Sequence, residues 1–428
     1  MGRDLTKRYF SLFEKINLNS LARFLNDLYK SGKSREFASF MVWEAFHKLA
    51  LFPKKSYLKF INDETLSLDR ETIGDSSFDE KTRAFFKGKG VEITRSKHNW
   101  KRFFVGDDNT IFGCLYPDDK SLYKSIDNDK SIIFIHTFPE IIKSLFVSSQ
   151  NTVFVCVKGA VYKSSADQQT FEKVIDLGSS ESFFRSNYAM TETPDKTLII
   201  GEYGNVWEKE GWRKLAYLYI STDGGNTWDR SDFLIKKGIN KHIHIIQYSR
   251  LLNKLFLADG DNYKKLWISD SLSSFDFKNP RWYPITKFHI QTGGYTSFVE
   301  SEGKILFGTD YQGGTNFIVE TRDGKKFVKK IVPDPYRRSP IHNLHPRKSK
   351  SGSEIWANLP YSTSNTKCLL MYTINGGESW NKMIEYSGKT HSVALIDGSN
   401  EIRNEVYFAI KDLRSNDRVV YKITDLDQ

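Results

Sequence analysis

Three cysteines in 428 residues are too few to build a disulfide framework. Cys114, Cys156 and Cys368 all lie in apolar runs that read as strands. The first two fall at equivalent places in successive sequence units, too far apart to bridge, and an odd count leaves one over. Reduced, buried thiols are expected. No apolar run approaches the ~18 residues of a membrane-spanning helix. The opening MGRDLTKR carries charge without the apolar stretch of a secretory leader, so a soluble, cytoplasmic protein is expected. A concentrated basic stripe and an aromatic RNA-binding motif are also lacking. The +11 net charge is spread along the chain and suits acidic partners such as anionic lipid or acidic glycan, with nucleic acid disfavoured.

Aromatic residues, in contrast, make up 14% of the chain, and together with Val and Ile they suit half-buried pleated surfaces. From Trp100 onward one unit of roughly 40 to 57 residues recurs seven times. Its second strand begins at Thr110, Thr152, Thr197, Lys254, Lys304, Glu354 and Glu405; its third at Leu122, Val161, Leu218, Leu266, Ile318, Leu370 and Val420. The last copy stops at its third strand, near Asp425. The fourth must then come from upstream of the first copy, with Val91 to Arg95 the natural candidate. Such closure leaves no exposed sheet edge. The spacing predicts an all-β, seven-bladed β-propeller over 91–428.

Residues 1–60 read as a helical hairpin. Ile16, Leu18, Leu21, Phe24, Leu25 and Leu28 recur at helical spacing, and Asn17 or Asn19 can cap that helix. After the break at 31–34, a second helix from about Arg35 carries Phe37, Phe40, Met41, Ala45, Phe46 and Leu49 until Pro53 stops it. With 12 Lys+Arg against 5 Asp+Glu, the hairpin can pack on the propeller or form a peripheral contact with a membrane or a partner. Residues 61–90 read as a connector.

The third strand ends in a turn of near-constant sequence, best seen in LYISTDGGNTW (Leu218 to Trp228) and LMYTINGGESW (Leu370 to Trp380). This pattern resembles the Asp-box (BNR) repeat of sialidase-like propellers. A short carboxylate there accepts backbone N–H bonds and Gly supplies positive φ. The following Trp228, Trp380, Phe327, Phe275 or Phe171 is expected between blades. Ala166, Ser271 and Asn375 stand where three copies lack the Asp, so the turn reads as a fold device. Asp223 and Asp323 are expected to be structural.

Blade topology then separates two faces of the disc. The three–four turns lie on one; the starts of first strands and the loops after second strands lie on the other. The second face collects Arg102, Arg185, His242, His244, Tyr295, His342 and His391, with His345 nearby. Its loops add Glu202, Tyr203, Asp259, Asp261, Asp310 and Tyr311. His242 and His244 project to one side of their strand. They suit one divalent metal ion, an acid/base group with an orienting neighbour, or structural bonds to adjacent loops. Glu202, Asp259, Asp261 and Asp310 can serve as acids, bases, ligands, sugar-hydroxyl acceptors or ordinary turn carboxylates. Arg185 and the Arg337–Arg338 pair can clamp a carboxylate. Tyr203, Tyr295 and Tyr311 can stack on sugar rings, transfer a proton or pack in the framework.

The succession GEYGN (201–205), the Asp-turn, KHIH (241–244), Gly260-Asp261, Trp267 to Ser269 and GTD (308–310) resembles propeller polysaccharide lyases, including those acting on rhamnose–glucuronate linkages. Sialidases carry six blades and an early Arg-Ile/Leu-Pro motif. Here the similar string is the late Arg338-Ser-Pro340, which disfavours a sialidase. The resemblance implies β-elimination on an acidic, uronate-containing glycan. His242 and His244 would be the acid/base or metal pair and Arg185 the carboxylate partner; Tyr203, Asp261, Asp310 and His342 would line the funnel. A glycoside hydrolase using Glu202 with an Asp is an alternative, as is a non-catalytic glycan-binding or scaffold propeller in cell-surface polysaccharide assembly.

Overall fold

The computed structural model describes residues 17–30, 34–68, 80–208, 211–239, 241–260, 265–276, 280–285, 294–311, 315–360, 367–399 and 402–426. Seven antiparallel sheets succeed one another, each holding one copy of the repeat. Blades 1 to 6 occupy 100–137, 142–176, 190–231, 243–284, 295–331 and 343–386. Blade 7 takes three strands from the end of the chain, His391–Leu395, Val406–Asp412 and Arg418–Asp425. Its fourth is Val91–Arg95, paired antiparallel from Val91↔Asp425 to Arg95↔Tyr421. The ring is a seven-bladed β-propeller closed as the repeat count requires, with four short α-helices among the described residues.

Apolar clusters bridge neighbouring blades all around the ring. Second strands lie between two blades and are covered on both faces, so they read as unbroken apolar runs: every residue of Val153–Val157 is buried. Phe154 of blade 2 meets Trp228 of blade 3 edge-on at 6.2 Å, and Phe171 meets Phe138 at 5.2 Å. Trp228 and Phe171 thus pack between blades, whereas Phe327 meets Phe307 and Phe275 meets Trp282 within their own blades. Cys114, Cys156 and Cys368 are buried free thiols, and burial pushes Cys156 up to about 12.

The three–four turns are held by their acidic residue. Asp223 accepts from Ser221 Oγ at 2.8 Å, from the backbone N–H groups of Asn226 and Thr227 at 3.0 Å, and from Thr227 Oγ1 at 2.7 Å. Gly224 and Gly225 have φ of 72° and 86°. A Cβ on Gly225 would fall 2.5 Å from the Phe154 ring. In blade 2 Ala166 stands two residues past the strand-ending Ser164, and the next residue, Asp167, accepts from Ser165 Oγ at 2.5 Å and from Gln169 N at 3.1 Å. Two residues past the equivalent Ser or Thr stand Asp127, Asp223 and Asp323, with Asn375 in blade 6 and Ser271 in blade 4.

Two short strands extend the ring in parallel. Leu66–Ser67, within 61–90, lies along the outer strand of blade 6. Asp397–Ser399 lies along the innermost strand of blade 1, inside the channel. Helix Glu80–Gly88 buries Phe86 ahead of the closing strand.

At the N-terminal side, helices Leu18–Lys30 and Ser34–Lys48 form the hairpin. Asn17 caps the first, its Oδ1 accepting from Asn19 N at 3.0 Å. The second docks on blade 5. Trp43 meets Phe317 edge-on at 5.2 Å, and Glu44 is clamped by Arg337 and by Arg338, whose Nη2 lies at 3.0 Å. His47 accepts from or donates to Tyr57 OH at 2.9 Å. No helix among the described residues is long and apolar enough to cross a membrane.

Candidate functional site

The channel mouth opposite the acidic turns gathers residues from blades 3 to 6. His242 and His244 begin the first strand of blade 4, where alternation turns both rings to one side. His242 Nδ1–H donates to the Gly204 carbonyl at 2.7 Å and His244 Nδ1–H to the Tyr295 carbonyl at 3.1 Å. The two Nε2 atoms consequently face each other at 3.0 Å. Burial, reinforced by Lys241 and then Arg185, pulls His242 down to about 3; burial, His242 and Arg185 hold His244 well below 6.5. Gly260 sits against them: a Cβ there would fall 2.4 Å from His242 Nε2 and 2.8 Å from His244 Nε2.

Tyr203 covers this pair. Its ring stacks on His242 with centroids 4.0 Å apart and lies 5.7 Å from that of His244. Beneath the strand-one starts, Arg185 reaches from blade 3 across the channel. Its Nη1 donates to the Thr296 carbonyl at 2.6 Å and its Nη2 to the His342 carbonyl at 3.4 Å. Tyr188, 5.3 Å from the guanidinium, crosses too: its hydroxyl donates to the Leu344 carbonyl and accepts from Leu344 N. Blade 3 is thereby tied to blades 5 and 6 through the axis. Burial and the Arg185 charge bring His342 down to about 4, and Asp310 Oδ2 lies 4.0 Å from His244 Nδ1.

The sequence candidates divide on this geometry. Arg185, Tyr203, His242, His244, Asp310 and His342 come together. Glu202 turns the other way: its carboxylate accepts from Ser182 Oγ at 2.5 Å and Tyr219 OH at 2.8 Å and is fully buried. Asp259 accepts from Lys265 N at 2.9 Å inside its own loop. Tyr295 contributes its carbonyl, while its ring packs on Phe307 and is pushed by burial to about 12. His391 lies in blade 7, with Nδ1 2.9 Å from Thr390 Oγ1 and Nε2 3.9 Å from Asp412. Tyr311 is tied through its backbone to Asn316, and Arg337–Arg338 clamp the chain's own Glu44. Asp261 lies outside the described residues. Among the described residues no three His, Cys, Asp or Glu side chains are grouped to hold a metal ion; the histidine pair supplies two imidazole nitrogens.

Two features escape a reading of the sequence. Tyr188, a channel-crossing residue, carries no local signal because its partner is 156 positions away. A cavity of about 330 Å³ opens at the other mouth, lined by Phe104, Asn187, Glu192, Lys196 and Arg250 among others. Its residues come from first strands and from the turns that follow them, and Glu192 is already bound to Ser149 at 2.8 Å.

No protein-family profile matches the chain, and no curated protein matches it by sequence. Similarity is confined to folds. A streptogramin B lyase structure superposes with a TM-score of 0.52 at 12% identity, over 78% of this chain and 98% of that one. A chain of a mitotic checkpoint complex gives 0.51 at 10% identity, over 84% and 100%. At such identities the likeness establishes the propeller fold and leaves activity to the site.

Proposed function

We propose that the mouth between blades 3 and 6 binds an acidic carbohydrate and cleaves it by β-elimination at a uronate. The observation that carries this reading is Arg185, a cation held at the mouth by carbonyl oxygens, beside the neutral imidazole of His342 and the ring of Tyr203. The resemblance of the motif succession GEYGN, KHIH and GTD to propeller lyases points the same way.

In this mechanism Arg185 pairs with the uronate carboxylate and stabilises the negative charge that builds on it as C5 loses its proton. His342, neutral at pH 7, takes that proton. The electron pair forms the C4=C5 double bond, the C4–O bond breaks, and the Tyr203 hydroxyl protonates the departing oxygen. His242 and His244, only 0% and 2% exposed, serve as the platform on which Tyr203 stacks. Glu202 is committed to Ser182 and Tyr219, which weakens the hydrolase alternative.

The burial of the histidine pair also favours a second reading, a glycan-binding propeller without turnover. A panel of uronate glycans separates the two. The lyase reading expects ultraviolet absorbance from an unsaturated product, abolished by Arg185→Ala. Binding by calorimetry without any absorbance change selects the binding module, and neither signal overturns both.

A further inference from the structure

Residues 17–30 and 34–60 present to solvent an apolar face that the propeller leaves uncovered. On the first helix Leu18, Leu25 and Tyr29 are exposed, and on the second helix and just past its end Met41, Phe46 and Leu49. Successive members lie three to seven positions apart, and so recur along the helices' outward sides. The second helix is fixed in this attitude because its opposite side, Trp43, Glu44 and His47, is held by Phe317, Arg337–Arg338 and Tyr57.

The fully exposed charges of this segment, among the described residues, are basic. Arg23, Lys30, Lys48, Lys54, Lys55 and Lys59 are exposed. Asp27 is half-buried, and Glu44 is committed to two arginines. Over 1–60 the balance is 12 basic to 5 acidic. A second copy of the chain would set like charge against like, whereas an anionic lipid surface answers both the apolar face and its basic border. Helices of 13 and 15 residues, ~20 Å and ~22 Å long, are too short to span a bilayer core of ~30 Å and suited to lie along its interface.

We propose that the hairpin docks this protein peripherally on an anionic bilayer, with Phe46 and Leu49 entering the headgroup boundary and the lysines engaging phosphates. The docking side follows from the fold. Thr315 and Arg337, which meet the second helix, belong to the same face of the disc as Asp310 and His342. Attachment therefore sets the candidate mouth on the side of the hairpin. This inference is independent of the reaction assigned to that mouth.

Co-sedimentation of the full chain with vesicles tests it. Phosphatidylcholine vesicles containing phosphatidylglycerol should pellet the protein, and phosphatidylcholine alone should do so roughly tenfold less well, with binding falling as salt rises. Phe46→Glu with Leu49→Glu should lower binding to the anionic vesicles by roughly tenfold or more, and Lys54→Glu with Lys55→Glu should lower it likewise. All these positions are exposed, so unchanged circular dichroism and melting would show that the variants fold. Failure to pellet with anionic vesicles, equal binding to neutral ones, or binding unaffected by the Phe46/Leu49 exchange would overturn the proposal. So would a concentration-dependent dimer in sedimentation velocity that the same exchange abolishes, because the face would then belong to a second copy.

Discussion

Gly260 controls the candidate site without contributing a functional group. Its missing side chain is what lets the two Nε2 atoms stand 3.0 Å apart, since a methyl group would overlap both. Gly260→Ala is expected to displace His242, unstack Tyr203 and cost about 1–3 kcal/mol of stability, as overpacking does; chemical denaturation reads the stability and near-ultraviolet circular dichroism the Tyr203 environment. Asp223 behaves differently. It is exposed, and the donors around it hold its carboxyl far below the usual range, so Asp223→Ala should lower stability by on the order of 1 kcal/mol while leaving ligand binding or turnover untouched. A loss of activity with unchanged melting would instead place the acidic turns in the site. The difference between these residues was partly visible in the sequence. Alternation alone put His242 and His244 on one side of a strand. It could not separate Asp310, which faces the mouth, from Glu202, which faces Ser182 and Tyr219, because hydrogen-bond partners 17 and 20 positions away leave no local trace.

Elements that repeat are legible, and elements that exist only by pairing are not. The seven second strands announce themselves as apolar runs because they are buried on both sides. The closing strand Val91–Arg95 follows from counting. Leu66–Ser67 and Asp397–Ser399 have two and three residues, and only the neighbouring sheet makes them strands. The closure can be tested at Ile93, which is opposite Ile423 and buried. Proline there removes a ladder donor and clashes with an extended pairing, so Ile93→Pro should cost about 3 kcal/mol or more and expose the edge of blade 7 to self-association, read by melting and by size-exclusion chromatography. The hairpin has its own fastening. Burial alone would raise the Glu44 carboxyl, but the bonds and charges of Arg337 and Arg338 hold it below its ordinary value. Arg337→Ala leaves that carboxylate buried with half its partners, which should destabilise docking by about 3 kcal/mol. Limited proteolysis should then release the N-terminal hairpin while the propeller stays intact.

Acid should act on the whole ring because its buried histidines sit in different blades and on the hairpin. His47 is drawn down to about 4, first by burial and then by Arg337; His342 stands at about 4 and His242 at about 3, with His244 lowered as well. An unfolded chain protonates these groups near 6.5. Between 6.5 and the folded values the unfolded state therefore binds more protons, so stability is fully present above about 6.5 and is lost as pH falls toward 4, by up to about 1.4 kcal/mol per pH unit for each fully buried histidine. Glu44 and Asp127, held below their ordinary values, add a further loss under pH 4.5. Glu202, raised mainly by burial, works in the opposite sense, since its charged form is the disfavoured one. The histidines outnumber it, so denaturation midpoints should be flat from pH 7 to 8 and fall steeply from 6.5 to 4. His342→Gln removes one of the protonation sites and should make that fall shallower by about 1 kcal/mol per pH unit. Because Arg185 joins His342 to blade 3 across the axis, the acid transition should remain a single cooperative one; a wild-type midpoint independent of pH over this range would mean that the imidazoles are already charged in the folded ring.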